Sequence, residues 1–206
     1  MAGTDAGIAL VAGLGNPGPR YEATRHNAGF WFVEALARRA GVVLREEPRF
    51  HALLARAEVD GHDLRLLEPL TYMNRSGEAV AAVARFYRYA PERILVVHDD
   101  LDLPPGAVRL KRQGGHGGHN GLRDIMAHLG SDRFLRLRLG IGHPGPGADV
   151  TAWVLSRPGP EDRAALEAAI EAALEAMPDI ASGDPRRLDR AMSRLHRLPE
   201  RQGAGD

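Results

Sequence analysis

The stretch "IALVAGLGNPG", residues 8–18, decides the fold: a continuous apolar run closed by glycine is the pattern of a strand buried on both faces. Read literally, Gly13, Gly15 and Gly18 spell the G-x-G-x-x-G of a dinucleotide-binding turn. That turn needs a helix opening at once behind the glycines, so that free backbone N–H groups face a pyrophosphate. Here Pro17 and Pro19 remove two of those donors, and "PRYEATRHN" (19–27) carries no apolar period before Ala28. The glycines therefore feed a long polar loop.

Working outward, "AGFWFVEALARRAG" (28–41) has helical spacing, ends at Gly41 and offers Asn27 as its N-cap. "LLARAEV" (53–59) and "HDLRLLEP" (62–69) alternate on either side of Asp60-Gly61, which predicts a hairpin. "SGEAVAAVARFYRYAP" (76–91) is a helix stopped before its proline, and "ILVVHDDLDLPPG" (94–106) is a strand running into an acidic turn. "AVRLKR" (107–112) and "FLRLRLGIG" (134–142) alternate like half-buried strands around a helix in "HNGLRDIMAHLG" (119–130). "EDRAALEAAIEAALEAM" (161–177) is amphipathic, and "DPRRLDRAMSRLHRL" (184–198) is a short basic helix. Strands alternating with helices predict one α/β domain over residues 1–198, a twisted mixed sheet with helices on both faces, and a frayed tail at 199–206. In such sheets ligands gather beyond the carboxyl ends of strands. Four polar clusters are expected there: Asn16–Asn27, Thr71–Ser76, His98–Asp102 and Gly114–Asn120.

The chain of 206 residues, 44% hydrophobic, suffices for one sizeable core and is short for two. No run approaches the roughly 20 apolar residues of a membrane span, and "MAGTDAG" lacks a signal pattern, so a cytoplasmic protein is expected. Absence of cysteine excludes disulfides, thiol nucleophiles and thiolate zinc sites. Net charge is zero, yet residues 105–143 hold seven Lys or Arg against two Asp, and residues 161–179 hold six acids against one Arg. Among 27 basic residues Lys111 is the one lysine, which singles out a site where a compact ammonium suits better than a guanidinium.

His26, in "TRHN", precedes a helix and reads either as a surface residue or, with Asp99 fixing its tautomer, as a base titrating near neutrality. No nucleophile accompanies it: there is no G-x-S-x-G, and Ser76 in "NRSGE" reads as a helix cap. A His–Asp pair without a nucleophile points to direct activation of water on an activated ester. "GGHGGHNG" (114–121) places five glycines before a helix, behind Lys111, and reads either as an anion cradle or as a connector capped by Asn120. "HDDLD" with His116 and His119 offers metal-ligand chemistry, but those histidines lie among glycines rather than on a rigid element.

Together, "GLGNPGPRYEATRHNAGF", "PLTYMNRSGEAV", "VVHDDLDLPPG" and "KRQGGHGGHNGLRDI" followed by "RLRLGIGHP" resemble the bacterial-type peptidyl-tRNA hydrolase family. The resemblance spans about the first 150 residues. It implies a monomeric α/β hydrolase, without metal or cofactor, that cleaves the ester between a peptide and the terminal ribose of tRNA. By matching position it makes His26 the general base, Asp99 its orienting carboxylate and Asn16 the residue that holds the site and senses an N-blocked peptide. Asn74, Asn120 and His119 then bind the substrate, with Tyr21, Tyr72 and Met73 lining the groove. Lys111 and Arg138 look like the family's clamp on the tRNA 5′-phosphate, beside the acceptor stem and 3′ end. Arg75 stands where the family commonly has an apolar residue, and the C-terminal segment is the least family-like. Two rival readings remain at this stage: a non-catalytic RNA-binding module, weakened by 5% aromatic content, and a nucleotide- or metal-dependent hydrolase using "HDDLD". Turnover would separate the first from an enzyme, and insensitivity to EDTA the second.

Overall fold

A computed structural model describes residues 7–197; the expected tail at 199–206 and the domain limit at 198 lie outside the described residues. Seven strands form one mixed sheet: β1 (Leu10–Gly13), β2 (Arg45–Glu47), β3 (Ala52–Val59), β4 (His62–Pro69), β5 (Ile94–Asp100), β6 (Val108–Lys111) and β7 (Leu135–Gly140), in the order β2-β3-β4-β1-β5-β7-β6. The strands β4, β1, β5 and β7 run parallel, and antiparallel pairs close both edges. Alternate residues of β1 and β5 feed two cores, as a continuous apolar run requires. Val11, Leu95 and Val97 pack with α1 (Ala28–Arg39), α5 (Pro160–Ala181) and α6 (Pro185–Leu195), whereas Leu10, Ala12, Ile94 and Val96 pack with α2 (Ser76–Tyr87) and α3 (Asn120–Leu129). The expected hairpin is present, with Asp60 and Gly61 both at positive φ, as the right-handed twist of the flanking strands demands.

The glycines that open the chain are explained by close packing. A Cβ on Gly13 would stand 2.3 Å from the carbonyl oxygen of Gly29, one on Gly15 would strike the Phe30 ring, and one on Gly29 would lie 2.3 Å from the Val97 carbonyl oxygen. The start of α1 is thus pressed onto the ends of β1 and β5. Only Gly18, further along, needs a positive φ.

Two elements escape sequence patterning, the three-residue β2 and the five-residue α4 (Val150–Val154). The acidic helix α5 runs past the expected end at Met177, through Pro178, because Ile180 and Ala181 are buried in the core. The direction of β6 corrects the expected placement of one cluster. Three clusters follow the carboxyl ends of parallel strands, but β6 is antiparallel to β7, with Lys111 opposite Arg136. The carboxyl end of β6 therefore lies toward the other end of the sheet. The loop 112–119 returns along the face, past Arg136, to start α3 beside Asp99.

On β4, Glu68 is 3% exposed and its Oε1 has no hydrogen-bond partner among the described residues. Burial, with the nearby charge of Glu34, pushes its carboxyl up from 4.5 to about 8. A raised folded-state value means stability that is full below about 4.5 and is lost as pH rises through about 8. Glu68→Gln is expected to abolish this loss, so that the variant gains on the parent by on the order of a few kcal/mol between mildly acidic and mildly alkaline pH. Thermal melts of both proteins across that range check it; parallel pH dependences would refute it.

Candidate functional site

His26 sits in a 3-10 turn, Arg25–Asn27, that leads directly into α1. Both neighbours are anchored. The Arg25 guanidinium stacks 3.5 Å from the Trp153 ring centroid and donates to Ser156 Oγ and the Arg157 carbonyl. Asn27 stands at the N-cap position of α1, but its side chain makes no cap bond. Instead its Oδ1 accepts from the Asn16 backbone N–H at 2.8 Å and its Nδ2 donates to the Asn16 carbonyl at 2.9 Å. Asn16 in turn accepts the Met73 backbone N–H on its Oδ1 at 2.7 Å, so the amide leaves Nδ2 as its remaining donor. The loops after β1 and β4 are thereby joined. Ser76, expected as a helix cap, is the first residue of α2 and donates its hydroxyl to the Met73 carbonyl.

Asp99, at the end of β5, is 2% exposed. His26 Nδ1 lies 3.0 and 2.9 Å from its two oxygens, and His119 Nε2 lies 2.9 Å from Oδ1. Burial alone would raise this carboxyl, but the two histidines outweigh it and hold Asp99 well below the usual carboxylate range. Burial opposes the charged form of His26, yet the charge of Asp99 and its hydrogen bond hold the imidazole above its ordinary value. Next door, His98 donates Nδ1–H to the Asp99 carbonyl at 2.8 Å. Burial, followed by the proximity of His119, lowers it to about 4, and it stays neutral.

The N-cap of α3 is His119 rather than Asn120, which is the first helical residue. His119 Nδ1 accepts from the backbone N–H groups of Gly121 and Leu122. The single proton of that ring therefore sits on Nε2 and points at Asp99. Ligand atoms of His26, Asp99 and His119 lie within 4.8 Å of one another, close enough to consider a metal. A cation on His119 Nε2 would drive the ring proton onto Nδ1, against two N–H groups, so this donor set fits a hydrogen-bonded relay better than a metal centre.

His26, Asp99, His119 and Asn120 line a cavity of about 650 Å³ whose wall also holds Lys111 and Arg138. Lys111 is exposed on β6, and Arg138 donates Nε–H to Asp100 at 2.7 Å. The two cations are not opposite each other, since Lys111 pairs with Arg136 and Arg138 with Arg109. Arg136, between them on the same strand face, was not singled out in the sequence. It is 1% exposed and donates to the Gly115 carbonyl, tying the glycine loop to β7. The alternation of "LRLRLG" (135–140) reads as a wet face, and nothing local reveals that the loop covers it. Tyr21, Tyr72, Met73, Asn74 and Asn16 are not among the residues lining this cavity. Tyr21 and Tyr72 meet edge to face at 6.2 Å, and Asn74 is exposed in the turn whose Met73 is held by Asn16.

A family model described as peptidyl-tRNA hydrolase matches residues 10–203. The chain belongs to the peptidyl-tRNA hydrolase family. It is 56% identical over 196 residues to a peptidyl-tRNA hydrolase of Halorhodospira halophila, covering 95% of this chain and 100% of that one. A second, from Marinobacter nauticus, is 57% identical over 189 residues, covering 92% and 95%. A crystal structure of peptidyl-tRNA hydrolase from Acinetobacter baumannii matches with a TM-score of 0.89 at 48% identity, covering 94% and 96% of the two chains. The α/β fold with its mixed sheet is thus that of the family.

Within this member of the peptidyl-tRNA hydrolase family, the Asn27 pairing is a specific structural commitment. Asn27→Asp cannot donate to the Asn16 carbonyl and sets a buried anion against it. It is expected to cost about 1–3 kcal/mol in denaturant unfolding at neutral pH. An unchanged unfolding midpoint would show that the pairing contributes nothing.

Proposed function

We propose that the chain hydrolyses the ester joining a peptide to the terminal ribose of tRNA, using water activated by His26. The observation that carries this reading is the His26–Asp99 pair: with Nδ1–H directed at Asp99, Nε2 is left as a base, and no hydroxyl among the described residues is hydrogen-bonded to the His26 ring. Ser76 is buried and bonded to a carbonyl, and Thr24 donates its hydroxyl to the Tyr21 carbonyl.

In this mechanism His26 Nε2 takes a proton from water while the water oxygen adds to the ester carbonyl carbon. The tetrahedral adduct then expels the ribose oxygen, which takes the proton back from His26, yielding free peptide and tRNA. Asp99 fixes the tautomer and compensates the transient imidazolium. Asn16 presents its Nδ2 donor to the peptide, which suits it to recognise an N-blocked chain, with Asn74, Asn120 and His119 completing the substrate contacts. Tyr21, Tyr72 and Met73 form the peptide side of the site. Lys111 and Arg138 share the cavity wall and take the tRNA 5′-phosphate, Arg138 then being shared between the phosphate and Asp100. The proposal needs no metal or cofactor and takes the enzyme as a cytoplasmic monomer. No described helix is long and apolar enough to cross a membrane.

His26→Ala is expected to abolish single-turnover hydrolysis of N-acetyl-aminoacyl-tRNA while tRNA binding survives, because a water-activating base acts on the transition state more than on ground-state affinity. Asp99→Asn should cost about 10²-fold. Equal, small losses in both variants would remove the pair from the chemistry.

A further inference from the structure

The His119 ring has two ends with different duties. Nδ1 accepts two N–H groups of α3, at 3.2 Å from Gly121 and 3.4 Å from Leu122. Nε2 reaches Asp99 Oδ1 at 2.9 Å, while His26 Nδ1 spans both oxygens of the same carboxylate, at 3.0 Å from Oδ1 and 2.9 Å from Oδ2. The two imidazoles lie 5.1 Å apart, centroid to centroid. A carboxylate shared by two N–H donors offers less of its charge to each.

We propose that His119 is a positioning residue that acts through Asp99, limiting how strongly that carboxylate favours the imidazolium form of His26. The proposal rests on His26 being the base, and it gives His119 a duty besides contact with substrate. The helix cap makes the device robust: α3 fixes the tautomer of His119, so its N–H cannot turn away from Asp99. Its third neighbour is His98, edge-on at 5.1 Å and neutral.

Other groups bear on the same titration. From β5 there is Asp100, already paired with Arg138 of β7, and Asp102 follows in the turn. Arg136 and Lys111 line the cavity from β7 and β6. His116 and His143 line it from loops. None of these is hydrogen-bonded to the Asp99 carboxylate in the structure, whereas His119 and His26 are.

The two ends of the ring can be tested separately. His119→Asn keeps an acceptor near Nδ1 for the cap and gives up the reach to Asp99. His119→Gln places an amide N–H near the position of Nε2 and weakens the cap. In substrate-free protein, the His26 titration midpoint, followed by its Cε1 proton in NMR, is expected to rise in the Asn variant by about half a pH unit or more. The acid limb of kcat/KM on N-acetyl-aminoacyl-tRNA should move up with it, chiefly through kcat. The Gln variant should return both toward the parent while melting at a lower temperature. An unmoved His26 midpoint in the Asn variant, or a raised KM with an unmoved limb and midpoint, would overturn the proposal. A midpoint that moves while the limb does not would uphold the coupling through Asp99 and sink His26 as the base, so the two failures are told apart.

Discussion

A carboxylate buried at the end of β5 must be supplied with donors, and Asp99 finds them on two histidines from opposite layers of the molecule. His26 comes from the turn before α1, which packs on one face of the sheet, and His119 from the start of α3, which packs on the other. An isolated charge this deep would be unfavourable by several kcal/mol. Two short N–H contacts offset that cost and, in doing so, tie both helical layers across the end of the sheet. The strand supplies the charge, and the helix starts supply the protons.

The rest of the site repeats this economy of donors and acceptors. Asn27 spends both ends of its amide on the Asn16 backbone, and Asn16 spends its oxygen on Met73. The polar loop behind Gly13 is therefore ordered by side-chain to backbone pairing rather than by helix or strand. Glycines at 13 and 29 allow α1 to approach β1 and β5 closely enough for the turn that precedes it to carry His26 to Asp99. On the far wall Arg136 does comparable work, bonding the glycine loop that must travel back from the antiparallel β6.

Much of this was legible in the sequence because it is local. Apolar runs mark the buried strands, Asp60-Gly61 marks a turn that needs two left-handed residues, and the polar clusters mark strand ends. What escaped is set by partners distant in the chain. Asn27 and Asn120 carry good cap chemistry, yet Asn27 is claimed by Asn16, and His119 caps α3 because Asp99 waits at its other nitrogen. The direction of β6 depends on which neighbour it pairs with, and four residues of alternation do not encode that. Arg136 and Glu68 sit at positions whose pattern reads as half-wet; only the packing of a loop and of α1 makes them dry. The pairing of His26 with Asp99, by contrast, was legible as a histidine before a helix and a carboxylate at a strand end, the family resemblance matched both positions, and the contact is present as geometry.

The claim that one buried carboxylate receives an N–H from each of two histidines held in opposite tautomers, that of His119 fixed by the α3 cap, is tested most directly by ¹⁵N NMR of the imidazole rings in the unmutated, substrate-free protein above the His26 titration. The account predicts His26 with Nδ1 protonated and Nε2 bare, and His119 with Nε2 protonated and Nδ1 bare. His119 protonated on Nδ1, or His26 protonated on Nε2, would contradict it.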